Sequence, residues 1–176
     1  MNENSDLVGL GVPGSTLILG LGNTLLGDEG VGVKTVSYLQ NTKPVLQSVE
    51  MLDGGTLSFI LAGPIEDSEH LIVIDAAQLN KAPGSVHLYE GKEMDQFVMR
   101  NKHNSVHEVS LSDLLAIAYL SGQLPQRRAL IGIQPERIDW SDTLTDSVAQ
   151  SIPVACDLVH ELLMRWRQEV GEAEAG

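Results

Sequence analysis

Two short, almost wholly apolar runs constrain the fold of this chain more than any other sequence feature. They are residues 16–20 (TLILG) and 71–74 (LIVI), and they end at a glycine and at Asp75. Strands that are buried on both faces of a parallel sheet have this appearance, because helices cover both of their faces. The chain is therefore expected to build an α/β fold around such a sheet.

The rest of the chain alternates between strand-like and helix-like segments. Further strands are predicted at residues 45–52, 85–89 and 128–133, and helices at 31–41, at 57–62 and from Ser110 to Gly122. Pro153 interrupts the helical pattern of residues 144–166, which predicts one kinked helix or two abutting ones. Residues 91–104 are charged and predict no regular element. This order predicts a three-layer α/β/α sandwich around a mainly parallel five-stranded sheet. The fourth strand follows no helix, so we expect it to run antiparallel at an edge.

Length and charge limit the domain organisation and the function classes. The chain has 176 residues, which suits one domain, and we assign it to residues 16–170, with a flexible leader at 1–15 and a frayed tail at 171–176. The formal net charge of −13 argues against a general nucleic-acid ligand and against an anionic membrane surface. No apolar run reaches the roughly 18 residues of a membrane span. The single cysteine, Cys156, is predicted to pack in the core, and a cytoplasmic protein is expected.

Candidate functional residues lie where the predicted parallel strands end. In open α/β sheets ligands gather at the carboxyl ends of the strands, which directs attention to residues 22–29, 53–56 and 75–78. The glycines of the first segment resemble a dinucleotide-binding loop, but Leu25 stands where that pattern needs a glycine. Asp28 and Glu29 would also repel a pyrophosphate. Dinucleotide binding is therefore disfavoured.

Two carboxylates are expected to share the crevice above the sheet. Glu29 and Asp75 project there, and two such groups together need a proton, a cation or a basic side chain between them. Structural explanations stay open, because Glu29 also suits the first turn of a helix and Asp75 a turn. Asp28 is interpreted as the helix N-cap.

An aspartate and a histidine complete the candidate set. Asp53 ends a strand in Asp53-Gly54-Gly55, where a turn role and a functional role are equally compatible with the sequence. His107 precedes the predicted helix start at Ser110 and can lean over the end of the sheet. One imidazole with two carboxylates would suit a borderline divalent cation.

Four segments together resemble the hydrogenase maturation endopeptidases. They are residues 19–32 (LGLGNTLLGDEGVG), 52–56 (LDGGT), 70–76 (HLIVIDA) and 105–108 (SVHE), and the similarity extends over about residues 16–167. Each segment is weak alone, but their order and relative positions are specific. Residues 104–108 resemble the group that acts on membrane-bound uptake hydrogenases.

The resemblance implies a function beyond what spacing can show. Such enzymes remove a short C-terminal extension from the nickel-loaded large-subunit precursor of a nickel–iron hydrogenase. It implies Glu29, Asp75 and His107 as nickel ligands and Asp53 as a residue of the hydrolysis, of aspartic type. The nickel would come with the precursor, which is the implied partner, rather than be a resident catalytic ion. A metal-sensing chaperone that holds the precursor without cutting it would use the same ligands and stays an alternative.

Overall fold

The computed structural model describes residues 15–42, 48–102 and 109–174. Of the expected leader it describes Ser15 only, so the domain boundaries stay a prediction. Helices and strands in these ranges follow the order β1 (Thr16–Leu21), α1 (Val31–Thr42), β2 (Val49–Gly55), α2 (Ala62–Glu66), β3 (His70–Ala76), β4 (Val86–Glu90), α3 (Lys92–Asn101), α4 (Leu111–Leu120), β5 (Arg127–Ile133), α5 (Asp146–Ala149) and α6 (Ser151–Glu174). Short 3-10 helices precede α1 and α2, at Gly27–Gly30 and Phe59–Leu61.

The strands form a five-stranded sheet in the order β2-β1-β3-β5-β4. All neighbours are parallel except β4, which runs antiparallel to β5 at the edge. The predicted fold class and the antiparallel edge strand are therefore confirmed. Gly20 of β1 lies opposite Asp53 of β2 and Ile74 of β3, so the carboxyl ends of these three strands lie at about the same height along the sheet.

Alternate residues of the central strands supply two separate cores. The isoleucines of β1, β3 and β5 face α1 and α6, whereas the intervening leucines and valines face α2, α3 and α4. This alternation turns each apolar strand into a surface that is buried on both sides, as the uninterrupted apolar runs indicate. No helix in the described residues is long and apolar enough to cross a membrane.

Helix α1 lies unusually close to the sheet because glycines occupy the contact. A Cβ on Gly32 would come within 2.1 Å of the carbonyl oxygen of Ile74, and a Cβ on Gly20 within 2.4 Å of that of Gly32. Side chains at these positions would push α1 away from β1 and β3. The glycines of the first segment thus serve helix packing, which fixes where the turn before α1 sits.

Several local predictions are wrong in ways that have physical reasons. The second helix is centred later than predicted, with Gly63 and Pro64 in the first turn of α2, where a missing proline N–H costs nothing. Residues 91–104, predicted irregular, contain α3, which buries Met94 and Val98 and leaves its charges in solvent. At the C-terminus, by contrast, the alternative of two abutting helices is confirmed: α5 and α6 part at Gln150, and Pro153 lies in the first turn of α6.

Candidate functional site

The sheet changes direction of winding at β1 and β3. The connection from β1 leads to β2 on one side, and the chain then crosses β1 to form β3 on the other side. The crossovers therefore diverge and leave a crevice above the carboxyl ends of these two strands. Glu29 lies in the 3-10 turn that follows β1, and Asp75 is the penultimate residue of β3.

A pocket of about 330 Å³ occupies this crevice. Its wall includes both carboxylates, Glu29 and Asp75, together with one cation, Lys102. Most of the remaining lining is apolar and comes from the β1 and β3 loops, α3, the start of α4 and the segment after β5, including Leu26, Leu57, Phe97, Val98, Leu111 and Ile138. The structure thus brings together two of the predicted site residues in one partly enclosed, largely apolar space.

The Glu29 carboxylate is held by the loop in which it lies. Its Oε2 accepts a hydrogen bond from the backbone N–H of Asn23 at 2.6 Å. Gly22 has φ of +129°, and a Cβ there would come within 1.8 Å of the carbonyl oxygen of Glu29. Only glycine adopts this backbone conformation at such a close approach. The turn is therefore fixed before any ligand binds.

Burial and a neighbouring negative charge both raise the pKa of Asp75. Burial, followed by repulsion from the Glu29 carboxylate, raises the pKa of Asp75 to about 7, against a weaker opposing hydrogen bond from the N–H of Ala76. Near neutral pH Asp75 is therefore protonated for part of the time. A divalent cation between the two carboxylates would replace that proton and relieve the repulsion.

Asp28 is not the helix N-cap that the sequence predicts, and its role is larger. Its side chain is fully buried, and its carboxylate accepts hydrogen bonds from the N–H groups of Glu136, Arg137 and Thr145 and from the Thr145 hydroxyl, at 2.7–3.1 Å. Burial alone would raise the pKa of Asp28, but these hydrogen bonds outweigh it and lower the pKa. Asp28 thereby fastens the turn that carries Glu29 to the segment after β5.

Asp53 lies apart from this pair. It is exposed, and its Oδ1 accepts a hydrogen bond from the N–H of Gly55 at 2.8 Å, as in an Asx turn. Asp53 is not one of the described residues that line the pocket. Since Gly20 pairs with both Asp53 and Ile74, the ends of β2 and β3 are two strand spacings apart, roughly 10 Å.

His107 lies outside the described residues, and so its position stays a prediction. The described chain on either side of it reaches the pocket, because Asn101, Lys102 and Ser110 line the wall. An ion pair of 2.7 Å between Lys102 and Asp113 joins these two flanks. Among the residues that the structure describes, no group of three or more His, Cys, Asp or Glu side chains is placed to hold a metal ion.

The start of α4 forms as predicted. The Ser110 side chain accepts from the N–H of Asp113, and the Asp113 carboxylate accepts from the N–H of Ser110, which completes a capping box. Sequence reasoning missed two features. One is the set of hydrogen bonds of Asp28, whose donors are more than 100 residues away in sequence. The other is the position of Lys102 in the pocket wall. No local signal indicates either one.

Comparison with known proteins identifies a family. The family model described as hydrogenase maturation protease matches residues 33–162. The chain is 34% identical over 160 residues to the hydrogenase expression/formation protein HupD of Bradyrhizobium diazoefficiens, covering 90% of this chain and 83% of that protein. It is 35% identical over 144 residues to the hydrogenase 2 maturation protease of Escherichia coli, covering 81% of this chain and 87% of the relative.

Solved structures agree with the sequence comparisons. The hydrogenase maturating endopeptidase HybD from E. coli superposes with a TM-score of 0.80 at 32% identity, over 86% of this chain and 93% of that chain. The common architecture therefore includes the sheet and the helices that surround the crevice.

Proposed function

We propose, from the premise that this chain belongs to the hydrogenase maturation protease family, that it removes a short C-terminal extension from the nickel-loaded large-subunit precursor of a nickel–iron hydrogenase. The observation that carries the proposal is the pairing of Glu29 and Asp75 in one pocket at the winding reversal of the sheet. Such a pair attracts a divalent cation, and the precursor is the source of that cation.

Nickel is the substrate's cargo in this proposal. Glu29 and Asp75 supply carboxylate oxygens and His107 supplies an imidazole nitrogen, a mixed set that suits nickel and also zinc. Because protein sites of this kind discriminate poorly by affinity alone, selectivity comes from the ion that the precursor already holds. The precursor thus completes the site, and only a loaded precursor is positioned for cleavage.

Asp53 is the proposed general base of the hydrolysis. Its carboxylate accepts a proton from water as the water attacks the scissile carbonyl, and the proton then passes to the leaving amine. The roughly 10 Å between the ends of β2 and β3 means that nickel and the scissile bond occupy different places along the bound precursor. Exposure of Asp53 leaves it accessible to a peptide that lies across the strand ends.

A mixing experiment tests the proposal. Purified protein is incubated with nickel-loaded precursor or with nickel-free precursor, and the mass of the precursor is measured. We expect loss of the C-terminal extension from the loaded form, no change in the nickel-free form, and no cleavage by Asp53→Asn. Unfolded casein, with or without added nickel, serves as a control and should stay intact.

The alternative is a chaperone that senses the metal and holds the precursor without cutting it. The position of Asp53 outside the pocket is the observation that favours this second candidate. A nickel-dependent complex whose precursor keeps its full mass would support the chaperone and contradict the protease.

We expect the processing of the precursor to take place in the cytoplasm, where the precursor is made.

A further inference from the structure

Large apolar side chains are exposed on the segments that border the pocket beside Glu29. Leu25, in the loop after β1, is 57% exposed, and Ile138 and Trp140, after β5, are 55% and 82% exposed. We call these three residues the docking ridge. Trp140 is one of only two tryptophans in the chain, and the other, Trp166, is buried.

The backbone beneath the docking ridge is held firmly in place. The N–H of Gly27 donates to the carbonyl oxygen of Ser141 at 2.8 Å, and the N–H of Ser141 donates to that of Leu25 at 3.0 Å. Leu26 and Ser141 form a parallel β-bridge between the same two segments. The buried carboxylate of Asp28 adds its hydrogen bonds to residues 136, 137 and 145. The exposed side chains are thus presented on ordered backbone.

The docking ridge is continuous with the pocket. Ile138 lines the pocket wall, and so does Leu26, the neighbour of Leu25. Leu26 lies in the same loop as Glu29, and this loop pairs with the segment that carries Ile138 and Trp140, so the ridge borders the pocket beside Glu29. The charges within the ridge segment include an ion pair of 3.0 Å between Arg137 and Asp139. The charges of Arg137 and Asp139 thus offset one another beside the apolar side chains of the ridge.

We propose that the docking ridge binds an apolar surface of the hydrogenase large-subunit precursor, next to the segment that carries the nickel. This inference rests on the proposed function, because the precursor is the partner that must reach Glu29. A rigid, exposed tryptophan is a typical hot spot of protein interfaces, since it buries a large area with little loss of side-chain entropy. A second copy of this chain would instead cover the mouth of the pocket and exclude the substrate.

Affinity for the precursor provides the test, because it does not require cleavage. Calorimetry measures the dissociation constant of nickel-loaded precursor for the wild-type ridge, Trp140→Ala, Leu25→Ala and the control Leu120→Ala, with Asp53→Asn added to every chain so that the precursor stays uncut. Leu120 is 83% exposed at the far end of α4, about 15 Å along the helix from Ser110. We expect binding about tenfold weaker for Trp140→Ala, a smaller loss for Leu25→Ala and none for Leu120→Ala.

Cleavage kinetics distinguish this inference from the proposed function. If the wild type cuts the precursor, Trp140→Ala should raise KM about tenfold and leave kcat within twofold. Equal affinity of Trp140→Ala and wild type overturns the docking ridge, even if both variants cleave normally. Binding without cleavage by the wild type contradicts the protease, while the affinities still decide on the ridge. Absence of any binding contradicts both.

A direct signal comes from the two tryptophans. Protein labelled with 5-fluorotryptophan gives two fluorine resonances, which Trp140→Phe assigns. Unlabelled precursor should shift the Trp140 resonance and leave that of buried Trp166 in place. A Trp140 resonance that does not respond to bound precursor overturns the inference. So does sedimentation that shows a wild-type dimer and a monomeric Trp140→Ala, because the ridge would then bind a second copy.

Discussion

The loops that follow β1 and β2 leave neighbouring parallel strands, yet they are held in very different ways. The first, residues 22–30, packs against residues 136–145 and is fixed by the hydrogen bonds of Asp28. The second follows the end of β2, where the exposed side chain of Asp53 accepts a hydrogen bond from its near neighbour Gly55. Contacts with a distant segment therefore hold the loop that carries Glu29, whereas the Asp53 side chain is held by a local hydrogen bond.

The two loops suit the two tasks of the proposed reaction. A metal site gains affinity when its ligands are fixed in advance, because little conformational entropy is then lost on binding. Glu29 lies in the fixed loop, and Asp75 ends a buried strand. A general base must instead meet a peptide bond that the substrate brings, and Asp53 is accessible to it. Variants that remove the difference between the loops test this account.

The largest effect on stability is expected at Gly22. Gly22→Ala places a Cβ against the carbonyl of Glu29 and requires φ of +129°, so we expect a loss of about 4 kcal/mol or failure to fold. Gly55 at the end of β2 has φ of +49°, and a Cβ there would meet Asp53 Oδ1 at an ordinary contact distance of 3.9 Å, so Gly55→Ala should cost about 1 kcal/mol. Urea unfolding measures both. Similar costs would show that the loops are equally constrained.

Asp28→Ala should have the second largest effect on the free energy of unfolding. Removal of this buried carboxylate leaves three backbone N–H groups without their acceptor, which should cost about 3 kcal/mol. Because the pKa of Asp28 is lowered by folding, its stabilisation is present above the unfolded value of 3.8 and is lost as the pH falls through the folded value. The difference between wild type and Asp28→Ala should therefore shrink in acid. A constant difference from pH 7 to pH 2 would contradict the charged clamp.

Asp75→Asn should stabilise the free protein. The pKa of Asp75 is raised from 3.8 to about 7, so its ionisation costs stability in the folded state as the pH rises through this range. The gain should be absent below about pH 4 and reach roughly 1–2 kcal/mol above pH 7, after allowance for solvent screening. Thermal unfolding at several pH values measures it. Asp157→Asn, at an exposed position on α6, is the control. The same pH profile in Asp157→Asn would contradict the attribution of the gain to the raised pKa of Asp75.

Asp53→Asn should have the smallest effect on stability and a large effect on activity. The side chain is exposed, so we expect the free energy of unfolding to change by less than about 0.5 kcal/mol. Loss of a general base should lower kcat by at least about a hundredfold. Full activity of a folded Asp53→Asn would assign Asp53 to the turn and remove its proposed catalytic role.

The fold could be predicted from the sequence where local signals and burial agree. Apolar runs without alternation indicate central strands, and β1 and β3 formed where those runs occur. The helix α3 escaped prediction because most of its residues are polar and only Met94 and Val98 are buried from it. The proline rule misled at Pro64, which lies in the first turn of α2, where proline is tolerated, but it served at Pro153, near which α5 and α6 part.

The site was partly predictable for a related reason. Glu29 and Asp75 were expected to meet because strand ends of a parallel sheet share one edge, and they line one pocket. Asp28 was misassigned because its hydrogen-bond partners come from residues 136–145, and no local pattern records contacts of that range. The docking ridge likewise depends on the pairing of two distant segments.

Discrimination between nickel-loaded and nickel-free precursor tests the central claim most directly. The dissociation constants of both precursor forms are measured with Asp53→Asn, which leaves the precursor uncut, and with the same chain carrying Glu29→Ala, whose fold is checked by circular dichroism. We expect Asp53→Asn alone to bind the loaded form at least about tenfold more tightly and the chain with Glu29→Ala to bind both forms equally. A folded Glu29→Ala that still prefers the loaded form would contradict the claim that this pocket recognises the precursor's nickel.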